Sequence, residues 1–414
     1  MQPIGAARSR LFGSHLVIVI VAASVIISAA MGTRQTFGLF LGPLAVERGL
    51  PVGTIALAIA LHNLVWGLAQ PLAGAAADRY GAPPLVALGA FAYAGGLAIA
   101  ASTTSPIVLV LGMGLLVGIG MSCTTFGVVL TAVGRTASAE KRSLAMGLAS
   151  AGGSVGQISL APIAQLTIDS WGLSASLFGL AILLAFAAPF GLLLAARRTT
   201  TTPTLELQTP SLGEILAQAL HHRGYRLLTL GFFTCGFQLA FISTYLPGYL
   251  SLCHMPVGLS AVALSLIGLF NMVGSWACGW LGGRFRQQYV LGWLYLVRGV
   301  AIALFFLMPK SDASVVAFAA VMGLTWLGTV PLTSGWVAKV FGVAHLGTLF
   351  GVCFFSHQIG SFLGAWLGGF VFDLTGSYSP VWILTAVAGA VAALLHFPIK
   401  DTAPATAMTL PARA

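Results

Sequence analysis

Arg34 stands in MGTRQTFGLF, and between His15 and Glu47 no other residue ionises. A guanidinium presents a planar fork of N–H donors that matches a carboxylate with two parallel charge-assisted bonds. A second arginine, Arg298 in LYLVRGVAI, occupies a comparable apolar run. Neither has an acid to pair with there: Asp78, Glu140, Asp169, Asp312 and Asp373 fall at the ends of such runs or between them. Placing an arginine near mid-membrane costs at least about 2.5–3.5 kcal/mol on insertion scales. Such a residue must face a wet cavity or find a partner, and a bound anion is the complement the chain does not itself supply. Two other roles stay open for Arg34: bonding carbonyls at a helix break, where Gly32 and Gly38 permit unwinding, or reaching outward to the interface. For Arg298 the competing role is a structural cation bonded to carbonyls, or to Tyr295 one turn away.

Four further polar residues stand in apolar runs. His357 and Gln358 are adjacent, and His357 could bind an anion when protonated, relay a proton, or sit neutral in a hydrogen bond. Asn271 and Gln238 could touch a substrate or bond between helices. His62 and Asn63 rank lower because they fall near the outer end of their run. The cysteines Cys123, Cys235, Cys253, Cys278 and Cys353 lack metal-type spacing and read as small hydrophobes. No cofactor is expected.

These residues need membrane spans to position them. The 414 residues are 58% hydrophobic and 7% charged, with mean hydropathy +0.96; a soluble domain is typically ~25% charged. About 20 apolar residues cross the hydrocarbon as a helix, and twelve runs suffice: 15–44, 54–77, 84–102, 106–134, 142–168, 173–196, 226–250, 260–282, 288–308, 313–338, 346–371 and 378–398. The expected fold is therefore an all-α polytopic membrane protein. With the N-terminus inside, fifteen of the 19 basic residues fall on the inner side and only Arg48 and Lys310 on the outer. The positive-inside rule then puts both termini in the cytoplasm and explains the basic balance without nucleic acid. The first run is too long for a signal-peptide core and is expected to be retained.

The sequence also repeats with a period of 204: Gly32 with Gly236, Pro43 with Pro247, Gly156 with Gly360, Asp169 with Asp373, Gly172 with Gly376. Two six-helix halves of the same orientation follow, a parallel-repeat arrangement. The expected organisation is a first bundle over 1–196, a cytoplasmic linker over 197–225, a second bundle over 226–400 and a disordered tail over 401–414. Within the linker, Ser211 and Glu214 suggest a capping box opening a short amphipathic helix on the inner surface.

Several segments resemble a known family. GAAADRYG, 74–81, resembles the loop motif between the second and third helices of the major facilitator superfamily, with GWLGGRFRQQ, 279–288, a weaker echo. EKRSLAMGLASAGGSVG, 140–156, TRQTFGLF and FSHQIGSFLGAWLGGFVFDLTGSY, 355–378, resemble its bacterial monocarboxylate-porter branch (the monocarboxylate and oxalate–formate type). The resemblance implies a twelve-helix major facilitator fold, an eleventh helix that lines the cavity around His357, and an inner-face latch at Asp78 and Arg79. The chain departs from that branch in its eighth helix, where Asn271 and Ser275 stand in place of an acid or amide and an arginine.

The combined reading is a secondary transporter of small organic anions, with monocarboxylates implied by the resemblance, working by alternating access in the bacterial inner membrane. Expected substrate contacts are Arg34, Arg298, His357, Gln358, Asn271 and Gln238, with His357 the candidate for proton coupling. The expected partners are the anion, protons where coupling exists, and membrane lipid. An anion exchanger and an exporter of neutral apolar compounds are the alternatives; cationic cargo would want an intramembrane acid. No pattern of nucleophile, base and phosphate loop suggests an enzyme.

Overall fold

A bilayer offers backbone groups no water, so spans this apolar must satisfy their own N–H and C=O groups as helices. The computed structural model describes residues 14–138, 142–195, 212–342 and 346–402, and every element among them is helical. The TTTTPT piece, the Ser211 cap and the tail from 403 lie outside the described residues.

The order is α1 (Ser14–Arg48), α2 (Val52–Tyr80), α3 (Ala82–Ser102) and α4 (Pro106–Leu109), the last continuing through a π-helical segment (Val110–Leu116) into α5 (Val117–Thr124) and α6 (Phe126–Thr136). Next come α7 (Arg142–Ala187) with a 3-10 tail (Ala188–Leu194), and the short α8 (Leu212–His221), whose Ile215 and Ala219 are buried. The chain ends in α9 (Arg223–Leu252), α10 (Val257–Arg284), α11 (Gln287–Leu307), α12 (Asp312–Leu324), α13 (Thr329–Phe341), α14 (Leu346–Thr375) and α15 (Ser379–His396).

Eleven stretches among the described residues are long and apolar enough to cross a membrane. The twelfth apolar run is not a separate helix because α7 continues from the fifth run into the sixth. The two part at Gly172, where φ is +83°, a region glycine enters without a Cβ clash. Its repeat partner Gly376 does the same between α14 and α15, with φ +69°. The breaks between α5 and α6 at Thr125, and between α12 and α13 just before Thr329, are also one repeat apart.

The repeated glycines mark where helices touch. A Cβ on Gly32 of α1 would run into the backbone of Gly156 on α7, and one on Gly156 would overlap the Ser28 carbonyl. In the second half of the chain, Gly236 of α9 meets the His357 carbonyl on α14, and Gly360 meets that of Phe233. Close backbone approach replaces the missing hydrophobic drive in lipid, and hydrogen bonds lock it: Ser28 Oγ donates to Gly152 O at 2.8 Å and accepts from Gly156 N at 2.9 Å.

Among the described residues, the helix pairs α2–α14, α7–α10, α1–α9 and α1–α10 join the two parts of the chain. The α2–α14 pair carries the bond from Gly53 N to Asp373 Oδ2 at 2.7 Å. Gly38 of α1 lies against the Ser243 carbonyl of α9, Gly67 of α2 against Gln358 of α14, and Gly268 of α10 against Gln157 of α7. The molecule is thus drawn together at the end that carries the α1–α2 and α14–α15 turns.

At the opposite end Asp401 gathers the chain after α15. Its carboxylate accepts from Lys339 Nζ at 2.7 Å and Trp336 Nε1 at 2.9 Å, with Arg286 Nε at 3.7 Å. Burial alone would raise this carboxyl, but the bond and charge of Lys339, with Trp336 and Arg286, outweigh it and hold it below its ordinary value.

Two measurements check these packing claims. Gly156→Leu should lower the melting temperature in detergent, by the overpacking cost of about 1–3 kcal/mol. Gly147→Ala, with open space at its Cβ, should not. The Asp401 carboxyl has a depressed folded-state pKa, so its stabilisation is complete above its unfolded value of about 4 and is lost as pH falls through the lower folded value. A melting series from pH 7 to pH 3 should show that loss, and Asp401→Asn should flatten it.

Candidate functional site

Arg34 projects from α1 at the level where α2 presents His62 and Asn63. Its Nη2 donates to Asn63 Oδ1 at 3.0 Å, and its guanidinium lies 5.7 Å from the centroid of the Trp66 ring. Asn63 is oriented by its own Nδ2, which donates to Ile59 O at 3.0 Å. Arg34 keeps a half-buried face, while its Nε is buried with no partner among the described residues. His62 is buried, and neither ring nitrogen has a partner among the described residues; Phe37 packs edge-on against it at 5.3 Å. These groups line a cavity of about 10 Å³ together with Ala240, Ser243 and Thr244 of α9. That is room for about one water, so a carboxylate needs the two parts of the chain to separate there.

Arg298 on α11 is arranged differently. It is 0% exposed. Its Nη2 donates to Thr325 O and to Trp326 O, the latter at 3.0 Å, and its Nη1 reaches Gln238 Oε1 and Cys235 Sγ, each at 3.4 Å. The carbonyls are those left free where α12 ends, so the guanidinium caps a helix break. Of the roles open to Arg298, this is the geometry of the cation bonded to carbonyls. Tyr295 lies beside it, with the guanidinium 5.4 Å from the ring centroid.

Asn271 serves the same break from the other side. Its Oδ1 accepts from Leu327 N at 3.1 Å and from Ser275 Oγ at 3.2 Å, while its Nδ2 donates to Gln157 Oε1 on α7 at 3.2 Å. Gln238 accepts from Arg298 and donates to Thr385 O on α15 at 3.0 Å. His357 is buried, its Nδ1 within 3.2 Å of Gln358 Oε1 and 3.5 Å of Ser361 Oγ, its ring stacked on Phe354. Gln358 is buried at the α2–α14 contact. Arg79 is exposed with its guanidinium over Tyr80, and the side chain of its expected latch partner Asp78 lies outside the described residues.

Of the six residues expected to touch substrate, His357 and Gln358 stay together on α14 and the other four fall into two groups. Arg34 stands in the cavity; Arg298, Gln238 and Asn271 surround the α12–α13 break. Of the cavity's other polar members, Ser243 and Thr244 were not singled out, and His62 and Asn63 were ranked low because they fall near the outer end of their run. Counting from the shared turn corrects this: Arg34 is 14 residues before the end of α1 and His62 10 after the start of α2, about 21 and 15 Å at 1.5 Å per residue.

The family model described as Major Facilitator Superfamily matches residues 20–363. The chain is similar to the uncharacterized MFS-type transporter YcxA of Bacillus subtilis (strain 168), 26% identical over 356 residues, 83% of this chain and 85% of that one. It is similar to Monocarboxylate transporter 13 of Rattus norvegicus, 26% identical over 376 residues, 88% of this chain and 86% of that one. Among solved structures, the inward-facing, unoccupied form of a bacterial homologue of the human lysosomal transporter Spinster superposes with a TM-score of 0.75, covering 93% of this chain and 97% of that one. At 15% identity that likeness speaks for the fold.

The Arg298 clasp predicts a stability effect. Arg298→Gln should lower thermal stability in detergent by on the order of 3 kcal/mol, because buried carbonyls lose charge-assisted bonds. Arg298→Lys should recover only part of it, since an ammonium lacks the fork that reaches two carbonyls and an amide.

Proposed function

The chain belongs to the Major Facilitator Superfamily, whose model spans most of its length, and from that premise we propose that it carries small organic anions, monocarboxylates foremost, by alternating access. It is a multi-pass membrane transporter and not an enzyme. The observation that carries the proposal is the half-buried Arg34 guanidinium, with one unpartnered N–H, facing a polar cavity between α1, α2 and α9. Relatives named as monocarboxylate transporters support a carboxylate as the cargo.

In this reading a carboxylate takes the Arg34 fork, and Asn63 holds the guanidinium toward it. Arg298, Gln238 and Asn271 position the α12–α13 break instead of touching cargo. His357 and Gln358 shape the α14 wall beside α2. The bundles over 1–196 and 226–400 move against each other, joined by the linker over 197–225. The basic residues favour both termini in the cytoplasm of a bacterial cell. The end closed by Gly53–Asp373 and Gly38–Ser243 is then the outer one.

Uptake of labelled C2–C6 monocarboxylates into proteoliposomes tests the proposal. Saturable uptake is expected in the wild type. Arg34→Gln should weaken it about tenfold or more, the range for losing a charge-assisted bond. Equal uptake by the variant would remove Arg34 from the site, and extrusion of neutral apolar compounds without carboxylate flux would favour the exporter reading.

A further inference from the structure

Buried polar side chains nearly always find a hydrogen-bond partner. His62 is 1% exposed, and among the described residues neither its Nδ1 nor its Nε2 has one. It lines the same cavity as Arg34. We propose that His62 carries the co-transported proton: it takes up one proton from water when a carboxylate docks on Arg34 and returns it to water on the other side when the carboxylate leaves. This rests on the carboxylate reading of Arg34 given above.

The surroundings of His62 leave one charge to control it. From α1 comes the Arg34 guanidinium, with Phe37 edge-on to the imidazole. Behind Phe37 stands Tyr93 of α3, whose ring lies 6.4 Å from that of Phe37 and whose hydroxyl donates to Ala30 O at 3.2 Å. From α9 come Ala240, Ser243 and Thr244. From α5, Gly118 lies against the His62 carbonyl. No carboxylate lines the cavity among the described residues. A proton on His62 would share its cavity with a guanidinium, and like charges at short range in a poorly solvated site repel strongly. A carboxylate between the two removes that repulsion and gives the protonated ring an acceptor. Proton and anion therefore arrive together.

Charge balance gives the arrangement a purpose. The empty site holds Arg34 alone, a charge of plus one. The loaded site holds Arg34, protonated His62 and the carboxylate, again plus one. Empty and loaded carriers then cross the bilayer with equal charge, and the membrane potential favours neither. Without the proton the loaded site would be neutral and the return step alone would move charge. His357 is less suited to this task, because its Nδ1 already faces Gln358 Oε1 and Ser361 Oγ.

The test uses lactate with the full-length protein in proteoliposomes. In the wild type, an acid exterior should drive accumulation, and a potential imposed with potassium and valinomycin should change it little. In His62→Gln, pH-driven accumulation should be lost, lactate exchange across the membrane should persist without regard to potential, and any remaining net uptake should respond to potential. Accumulation by His62→Gln that still follows the pH gradient as in the wild type would overturn the proposal. Should His62→Gln fail to fold, calorimetry on the wild type in buffers of different ionisation enthalpy decides: about one proton taken up per lactate bound at neutral pH is expected, and none overturns it. Binding that Arg34→Gln leaves unchanged would instead overturn the carboxylate site on which it rests.

Discussion

A cation inside a bilayer must be compensated, and the acids of this chain stand where they cannot do it, at the ends of apolar runs or between them. Two guanidiniums therefore have to be satisfied by other means. Arg298 is given main-chain carbonyls, which exist only because α12 stops at Leu324 and α13 does not begin until Thr329. Arg34 is given one amide oxygen and a polar cavity. The first solution consumes the charge within the protein; the second leaves it facing a small polar cavity.

The repeat shows how one ancestral layout serves both. Gln238 stands 204 residues after Arg34, so a neutral amide occupies the place of the guanidinium. Its oxygen accepts from Arg298, a cation whose own repeat counterpart, Ala94, is apolar. The break that Arg298 caps recurs at Thr125, where α2 supplies Gln70, its Nε2 donating to Ser122 O at 3.3 Å. An uncharged amide suffices on one side and a guanidinium stands on the other. The pseudo-symmetric backbone thus carries an asymmetric charge pattern, with the open cation in the first part of the chain and the clasped one in the second.

Much of this was legible in the sequence, because long apolar runs, a 204-residue period and mid-span cations are one-dimensional signals. Gly172 and Gly376 were visible as repeat partners, and both adopt the positive φ that ends a span. Gly32, Gly156, Gly236 and Gly360 were visible too, and they lie where backbones touch. The partner of each cation was not legible. Bonding to carbonyls stood open for Arg298, but the TWLG segment, Thr325–Gly328, carries no proline to announce that the free carbonyls are there. His62 looked peripheral because it falls near the outer end of its run, and only the packing of α1, α2 and α9 brings it into one cavity with Arg34.

The amides also connect the halves in a way the pairings alone do not suggest. Gln157 on α7 accepts from Asn271 on α10, and Asn271 in turn holds the Leu327 N–H inside the α12–α13 break. Arg298 holds the carbonyls on the other side of the same break and leans on Gln238, which is anchored to α15. A shift of α7 against α10 cannot leave the Gln157–Asn271 bond unchanged, since a hydrogen bond weakens steeply with misalignment. The displaced amide would be pulled from Leu327, while the clasped carbonyls stay with Arg298. The Gln157–Asn271–Leu327 chain of bonds thus ties α7 to the break between α12 and α13, and Arg298 holds the other side of that same break.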